Sequence, residues 1–344
     1  MSNLPPSGEI PRGAIRFNTD SNKPELWDGS QWAEFQLSTP NLGRSVDIEP
    51  GARAAFPLGS NSMNQIDYVN TASTGDSVQF GFLSDTVYES GSVASSTRGV
   101  TAMSYTNPAT VDDLEYITLA STGNTQSFGE LVQANRVSGA ASNQTRGIFF
   151  AGGPSPFTNL IQYITIASEG VDAQDFDGNT LFSGAYLTAC ASPTRAVAFG
   201  GGAWPSLTNT IQFVNISTTG VDAQDFGDLT TNRGMSSASS NATRGVVMGG
   251  RSATGSTNQN IIEYVTLSTG GNSVNFGDIS AARSQGSGFA SATRAFMAGG
   301  NSPSIYDTIE YVQISTQGNA IDFGNATNAF HSSGGGMSTG HGGL

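Results

Sequence analysis

The chain repeats itself, and the repeat constrains the fold more than any other feature. Thr-Arg followed by a small residue and an apolar run occurs at Thr97-Arg98, Thr145-Arg146, Thr194-Arg195, Thr243-Arg244 and Thr293-Arg294, so these arginines stand 48, 49, 49 and 50 residues apart. Ala52-Arg53-Ala54 lies 45 residues before Arg98, and Pro11-Arg12-Gly13 another 41 before that. Arg12, Arg53, Arg98, Arg146, Arg195, Arg244 and Arg294 therefore form one series. A fixed period of 20–50 residues means one supersecondary unit used many times, each copy burying its apolar face against the next.

The unit is built of strands. Between Ala282 and Ile321 a small-residue segment (Arg283 to Ala290) precedes an apolar run ending in a glycine pair (Arg294 to Gly300). A polar loop, the segment Thr308 to Ile314, a Ser-Thr-x-Gly turn and Ala320 to Gly324 follow. Each segment is of strand length and too short for a helix of the usual size. Composition agrees: 44 glycines, one lysine (Lys23) and a polar fraction dominated by Ser, Thr and Asn favour strands and turns over helix interiors.

Two aromatic ranks keep step with the arginines. Trp27, Tyr68, Tyr116, Tyr163, Phe213, Tyr264 and Tyr311 fall in the third segment, and Phe35, Phe80, Phe128, Phe176, Phe226, Phe276 and Phe323 in the fourth. A reacting aromatic occurs once; a rank of seven is packing between neighbouring sheets. Four strands per unit, repeated radially, predict an all-β fold of β-propeller type, which removes exposed sheet edges by closing a ring.

The ends of the sequence predict how the ring closes. Residues 13–37 carry a second, third and fourth strand with no first, whereas residues 329–337 read as a first strand with no unit after it. Joined, they make one blade. The expectation is a seven-bladed propeller over residues 11–344 after an N-terminal extension (1–10), with the seventh blade shared between residues 11–40 and 326–340. The alternative is six blades plus an N-terminal β-hairpin module.

Several classes of function are disfavoured. A net charge of −13 with scattered arginines argues against nucleic-acid binding, and no apolar run has the length of a membrane span. The N-terminus does not read as a secretory signal. Cys190 is the single cysteine and reads as a core thiol. Only two histidines, His331 and His341, are present, too few for a copper site. The acidic stretch Asp172 to Asn179 recurs as Asp222 to Asp228 in register with a strand and lacks calcium-loop spacing. The arginine rank reads as guanidinium groups bonding carbonyls of the neighbouring unit rather than as a substrate clamp. The sequence thus predicts no catalytic residues, no metal and no cofactor.

What varies between units is the loop after the second strand, which carries Tyr105, Phe157, Trp204, Arg251 and Tyr306 among Ser, Thr, Asn and Pro. Units oriented alike put these loops on one face. Aromatics in such a polar setting fit a platform for sugars or a protein partner; drift at tolerant positions accounts for them equally well.

The order of signals resembles the kelch repeat: a leading Arg, an apolar strand ending in Gly-Gly (Gly152-Gly153, Gly201-Gly202, Gly249-Gly250, Gly299-Gly300), a Tyr strand and a final aromatic strand. It departs at Asn18-Thr19, Gly59-Ser60 and Met103-Ser104, where no glycine pair stands, and in the Phe of the last strand. The stretch Gly13 to Trp32, with Ile-Arg-Phe-Asn-Thr-Asp and Asp-Gly-Ser-Gln-Trp, resembles a short module of bacteriophage tail-fibre and other virion proteins. The repeats themselves, with Thr-Arg-Gly-Val, Ile-Glu-Tyr-Val and Asp-Phe-Gly-Asp-Leu, are similar to propeller-like repeats in virion proteins of marine, especially cyanobacterial, tailed phages.

This resemblance implies a non-enzymatic virion structural protein. The expected role is a tail-fibre or tail-associated propeller that docks to other virion proteins in multiple copies per particle and binds a host surface glycan. A capsid decoration or cement protein without a receptor role is the alternative, and a polysaccharide-degrading enzyme the remote one.

Overall fold

The structure, a computed structural model, describes residues 10–18, 23–34, 53–59, 63–106, 109–134, 136, 139–153, 156–252, 257–331 and 335–344. Every regular element among them is a strand, so the protein is all-β. The chain divides into two compact units, Met1–Ile48 and Glu49–Leu344.

In the first unit, Ile15–Asn18, Lys23–Trp27 and Trp32–Glu34 form a three-stranded antiparallel sheet with Trp27 opposite Trp32. The turn between the last two strands is set by Asp28, whose carboxylate accepts the N–H groups of Ser30 and Gln31 at 2.7 and 2.8 Å, a local side-chain bond that fixes such turns. Trp27 is buried and its ring lies 5.4 Å from that of Trp32. The Arg16 guanidinium covers Trp32 at 4.2 Å while its Nε bonds Glu25 at 2.6 Å.

The second unit contains six four-stranded antiparallel sheets. Sheet 1 is Met337–Ser338, Arg53–Pro57, Gln65–Asn70 and Val78–Phe82; sheet 2 is Glu89–Ala94, Arg98–Tyr105, Asp113–Thr118 and Gln126–Glu130. Sheet 3 is Gly139–Ser142, Arg146–Gly152, Thr158–Thr165 and Gln174–Asn179; sheet 4 is Thr188–Ala191, Arg195–Phe199, Thr210–Asn215 and Gln224–Asp228. Sheet 5 is Ser237–Ser240, Arg244–Met248, Ile261–Thr266 and Val274–Asp278; sheet 6 is Ser287–Ala290, Arg294–Ala298, Tyr306–Gln313 and Ile321–Phe330.

Three kinds of contact join each sheet to the next. The leading arginine sends Nη1 to a carbonyl just past the third strand of the following sheet: Arg53 to Leu119, Arg98 to Ile166, Arg146 to Ile216, Arg195 to Leu267 and Arg244 to Ile314, at 2.7–3.0 Å. A turn N–H bonds the fourth-strand Phe carbonyl of the preceding sheet, as Gly123 does to Phe80 and Gly318 to Phe276. A buried polar side chain beside the third-strand aromatic accepts an N–H from the linker behind it: Glu115 from Ser84, Gln162 from Val132, Gln212 from Leu181, Glu263 from Thr230 and Glu310 from Ser280.

All three recur between sheet 6 and sheet 1. Arg294 Nη1 bonds Thr71 O at 2.8 Å, Gly75 N–H bonds Phe323 O at 2.8 Å, and Asp67 accepts Thr327 N–H at 2.9 Å. Gly324 shows how close the sheets come there. It holds φ +151°, and a Cβ on it would stand 2.4 Å from Gly75 O, so only glycine admits the approach.

The aromatic ranks pack within each sheet. Tyr68–Phe80, Tyr116–Phe128, Tyr163–Phe176, Phe213–Phe226, Tyr264–Phe276 and Tyr311–Phe323 meet edge to face with centroids 5.9–6.2 Å apart. The leading arginine of each sheet lies 4.2–4.7 Å over the third-strand ring, so one guanidinium both stacks at home and bonds next door.

The ends of the chain differ from expectation. The C-terminal strand is Met337–Ser338, and it pairs with Arg53–Pro57 (Met337 opposite Ala55) rather than with the strands of residues 11–40. The described end of the segment 326–340 expected in a shared blade thus belongs to sheet 1. The second strands differ in burial. The second strand of each of the six sheets is buried on both faces, as in Arg53–Pro57 and Arg195–Phe199, because neighbouring sheets cover it. Ile15–Asn18 alternates exposed and half-buried, with Ile15 and Phe17 exposed. Phe35, residues 1–9 of the expected extension and residues 332–334 of the expected C-terminal strand lie outside the described residues.

Candidate functional site

Each second strand runs antiparallel to the first, so the loop leaving it stands beside the start of a first strand. The backbone joins the two there: Tyr88 N–H bonds Tyr105 O at 3.0 Å, and Ala185 bridges Gly202, Gly234 pairs with Arg251, and Ser284 bridges Asn301. The five loop residues singled out in the sequence thus sit at equivalent ends of sheets 2 to 6, and the structure divides them into two groups.

Tyr105 and Phe157 belong to the first. The Arg136 guanidinium stacks on Tyr105 at 4.0 Å and pairs with Glu89 at 2.9 Å, Tyr88 meets the Tyr105 ring at 6.0 Å, and Phe157 meets Tyr186 at 6.4 Å. Burial pushes the Glu89 carboxyl above the usual carboxylate range, with Arg136 pulling the other way. Burial, with the Glu89 charge adding to it, also raises the Tyr186 hydroxyl. Tyr88, Glu89, Arg136 and Tyr186 were not read as site residues from the sequence: each occurs once, outside both aromatic ranks.

Trp204 and Arg251 belong to the second group. Arg251 lies over the Trp204 ring at 4.9 Å, and Trp204 is 37% exposed. Beyond Arg251 a groove of about 420 Å³ runs along Thr257, Asn258, Ser284, Gln285, Asn301 and Ser302. Asn258 Nδ2 ties its two sides by bonding Asn301 O at 2.9 Å. Tyr306 is placed differently: its hydroxyl bonds Ser302 O at 3.0 Å and its ring lies 5.4 Å from the buried Arg283, which pairs with Glu310 at 2.7 Å. Its contacts are those of a structural side chain supporting the groove.

The opposite ends of the first strands converge on a small cavity of about 50 Å³, lined by residues of Glu89–Ala94 and the first strands of sheets 3 to 6 together with Gly335, Gly336 and His341. His341 Nε2 donates to Ala94 O at 2.7 Å and its Nδ1 accepts Gly343 N–H at 3.1 Å. Burial pushes this imidazole down to about 4, so it is neutral at pH 7. Cys190 also lines the cavity, and burial lifts its thiol to about 12, which leaves no thiolate at neutral pH.

Six members of the arginine series bond carbonyls between sheets. Arg12 belongs to the first unit, where it is exposed with its side-chain carbons near Gly29. Among the described residues no cluster of three His, Cys, Asp or Glu could hold a metal ion, and no helix is long and apolar enough to cross a membrane. Compared with known proteins, the chain matches no family model and no curated protein sequence.

Proposed function

We propose that residues 53–339 form a six-bladed β-propeller and that the chain is a non-enzymatic structural component of a tailed-bacteriophage particle. In this reading it sits at the tail or its fibres, docking to other virion proteins, with its loop-bearing face turned to a host surface glycan. One observation carries the architecture: the three contacts that join successive sheets also join the last to the first, at Arg294–Thr71, Gly75–Phe323 and Asp67–Thr327. Equivalent seams all round are what a ring requires, and a ring leaves no open sheet edge.

The virion assignment rests on the resemblance of residues 13–32 and of the repeats to virion proteins. The loop face is consistent with recognition rather than chemistry. Its exposed aromatics, Trp204 and the half-buried Tyr105 and Phe157, stand among amides and hydroxyls, the composition of a sugar- or protein-binding surface. Glu89, a carboxylate of this face with a raised pKa, is paired with Arg136.

The test is antibody raised against the purified protein and applied to intact particles in the electron microscope. Label at the tail, together with inhibition of host adsorption by the free protein, is the expected result. Label over the capsid with no effect on adsorption would favour the decoration role, and particles without label would overturn the virion reading.

A further inference from the structure

We propose that residues 340–344 are a strap that shuts one mouth of the cavity where the first strands converge. His341 is its latch, and the strap lifts as a unit while the six sheets stay folded. The proposal stands apart from the virion reading and does not depend on whether the sheets close a ring.

The chain changes character after Met337–Ser338. Met337 is buried in the core and Ser338 Oγ bonds Ala290 O, so this strand is anchored. Beyond it, three residues touch four sheets. His341 Nε2 reaches Ala94 O in sheet 2 at 2.7 Å and stands 3.4 Å from Ser142 Oγ in sheet 3. A Cβ on Gly343 would collide with Ser142 O, and one on Gly342 with Ala191 O of sheet 4 and with Asn241 O, just past the first strand of sheet 5. Ala94, Ser142 and Ala191 also line the cavity, so the strap forms its lid at this mouth.

The lid is lightly held. Its glycines offer no side chain, and His341 and Leu344 are only half-buried. Among the described residues, the hydrogen bonds that tie 340–344 to sheets 2 to 6 are those of the His341 ring. The rest stay within the tail, from Gly340 to Ser338 Oγ, from Gly343 to His341 Nδ1 and from Leu344 to His341 O. A segment with so few buried side chains and outward bonds opens locally before the sheets do. The latch is also sensitive to protons. Nε2–H donates to Ala94 O and Nδ1 accepts Gly343 N–H, so a second proton, which has to go on Nδ1, sets two donors against each other. The ionisable groups on the elements around the ring are Glu89, at the far end of its strand and paired with Arg136, the Cys190 thiol, and the leading arginines, which bond carbonyls past the third strands. None of these sets a carboxylate beside the imidazole to hold it as a cation. Burial has accordingly pushed the ring down to about 4.

The experiment places a thiol under the strap. In the full chain, Cys190→Ala removes the single native thiol and Ser142→Cys puts one beneath the His341 ring. Its rate of reaction with dithiodipyridine, divided by the rate in urea at the same pH, reads how often the strap is up, while circular dichroism reads the sheets. Going from pH 7 to about 4.5 should raise this relative rate at least about tenfold with the dichroism unchanged. His341→Gln should abolish the rise. Gly343→Ala, which drives a methyl group into Ser142 O, should raise the rate at least about tenfold already at pH 7. Should the thiol variant fail to fold, amide exchange in the unmodified chain gives the same reading. Gly343 should then lose protection in acid ahead of Gly336, whose N–H bonds Gly288 O at 2.7 Å. A relative rate that stays level in acid, that rises equally with His341→Gln, or that rises only as the dichroism is lost would overturn the proposal, as would loss of protection at Gly343 and Gly336 together.

Discussion

Met337 is the side chain through which the C-terminal strand enters the core between sheets 1 and 2, and its truncation measures what that strand contributes. It is 1% exposed and packs with Ala55, Ile66 and Phe80 of sheet 1 and with Val87, Ala94, Met103, Ile117 and Leu119 of sheet 2 and its approach. Its sulfur lies 3.4 Å from Thr101 Oγ1, and a Cβ on Gly99 would collide with it. Met337→Ala removes this filling from a site walled by two sheets, where collapse is limited. Buried Met to Ala changes cost about 2–5 kcal/mol, and about 3 kcal/mol is expected here. For a unit of about 300 residues, that lowers Tm by roughly 5 °C. Urea unfolding with a shared m-value gives the difference directly. Val78→Ala, at an exposed first position of a fourth strand, serves as the control and should change stability by less than about 0.5 kcal/mol. If Met337→Ala behaves like the control, Met337 is not in that core and the account of how the C-terminal strand is held is wrong.

Other consequences follow from the buried charges and from the division of the chain. Arg233 and Glu263 form a fully buried ion pair, with Arg233 also bonding Gly249 O at 3.0 Å. Glu263→Gln and Arg233→Met should each cost about 3–5 kcal/mol in chemical denaturation, and the double variant less than the sum, because each single change strands a buried charge. His341 is held neutral in the fold with its pKa lowered to about 4 from 6.5. Its contribution is fully present above the unfolded value and is lost as pH falls from about 6.5 towards 4, by about 3 kcal/mol at most and less where the ring is partly exposed. Glu89, whose pKa is raised, acts in the opposite sense, so the His341→Gln difference curve isolates the imidazole: it should flatten the acid limb of stability against pH. Because Met1–Ile48 is a separate compact unit, deleting residues 1–48 should leave the melting temperature of the remainder within about 2 °C; a large fall would restore a blade shared between the two ends.

The repeat was legible because it is written six times. Any one Arg, Tyr or Phe is ambiguous, but a rank in which Arg98 bonds Ile166 O and Arg195 bonds Leu267 O puts the same contact at each step of the repeat. The buried polar rank of Asp67, Glu115, Gln162, Gln212, Glu263 and Glu310 was equally periodic, one place before each aromatic. It escaped notice because Asp, Glu and Gln look unlike until they are seen accepting the same linker N–H. The place of the C-terminal strand was not legible. Gly13-Ala-Ile-Arg-Phe resembles a second strand in letters, and Ile15–Asn18 lies in a three-stranded sheet with Lys23–Trp27 and Trp32–Glu34. The strand that completes sheet 1 is two residues long, too short to leave a pattern. The loop face was legible only in part. Trp204 and Arg251 were found through their variable loops and meet at 4.9 Å, but Glu89 and Arg136 occur once each, and a single occurrence carries no period.

The central claim is that the seam between sheet 6 and sheet 1 is equivalent to the other five. Amide hydrogen exchange resolved by residue tests it most directly, because the donors are named: Gly75 and Ser77 bond Phe323 and Asn325 across this seam, as Gly123 and Thr125 bond Phe80 and Phe82 across the first. The account predicts that Gly75 and Ser77 are protected to within about tenfold of Gly123 and Thr125. Free exchange at Gly75 and Ser77, with Gly123 and Thr125 still protected, would mean an open row of sheets and would contradict it.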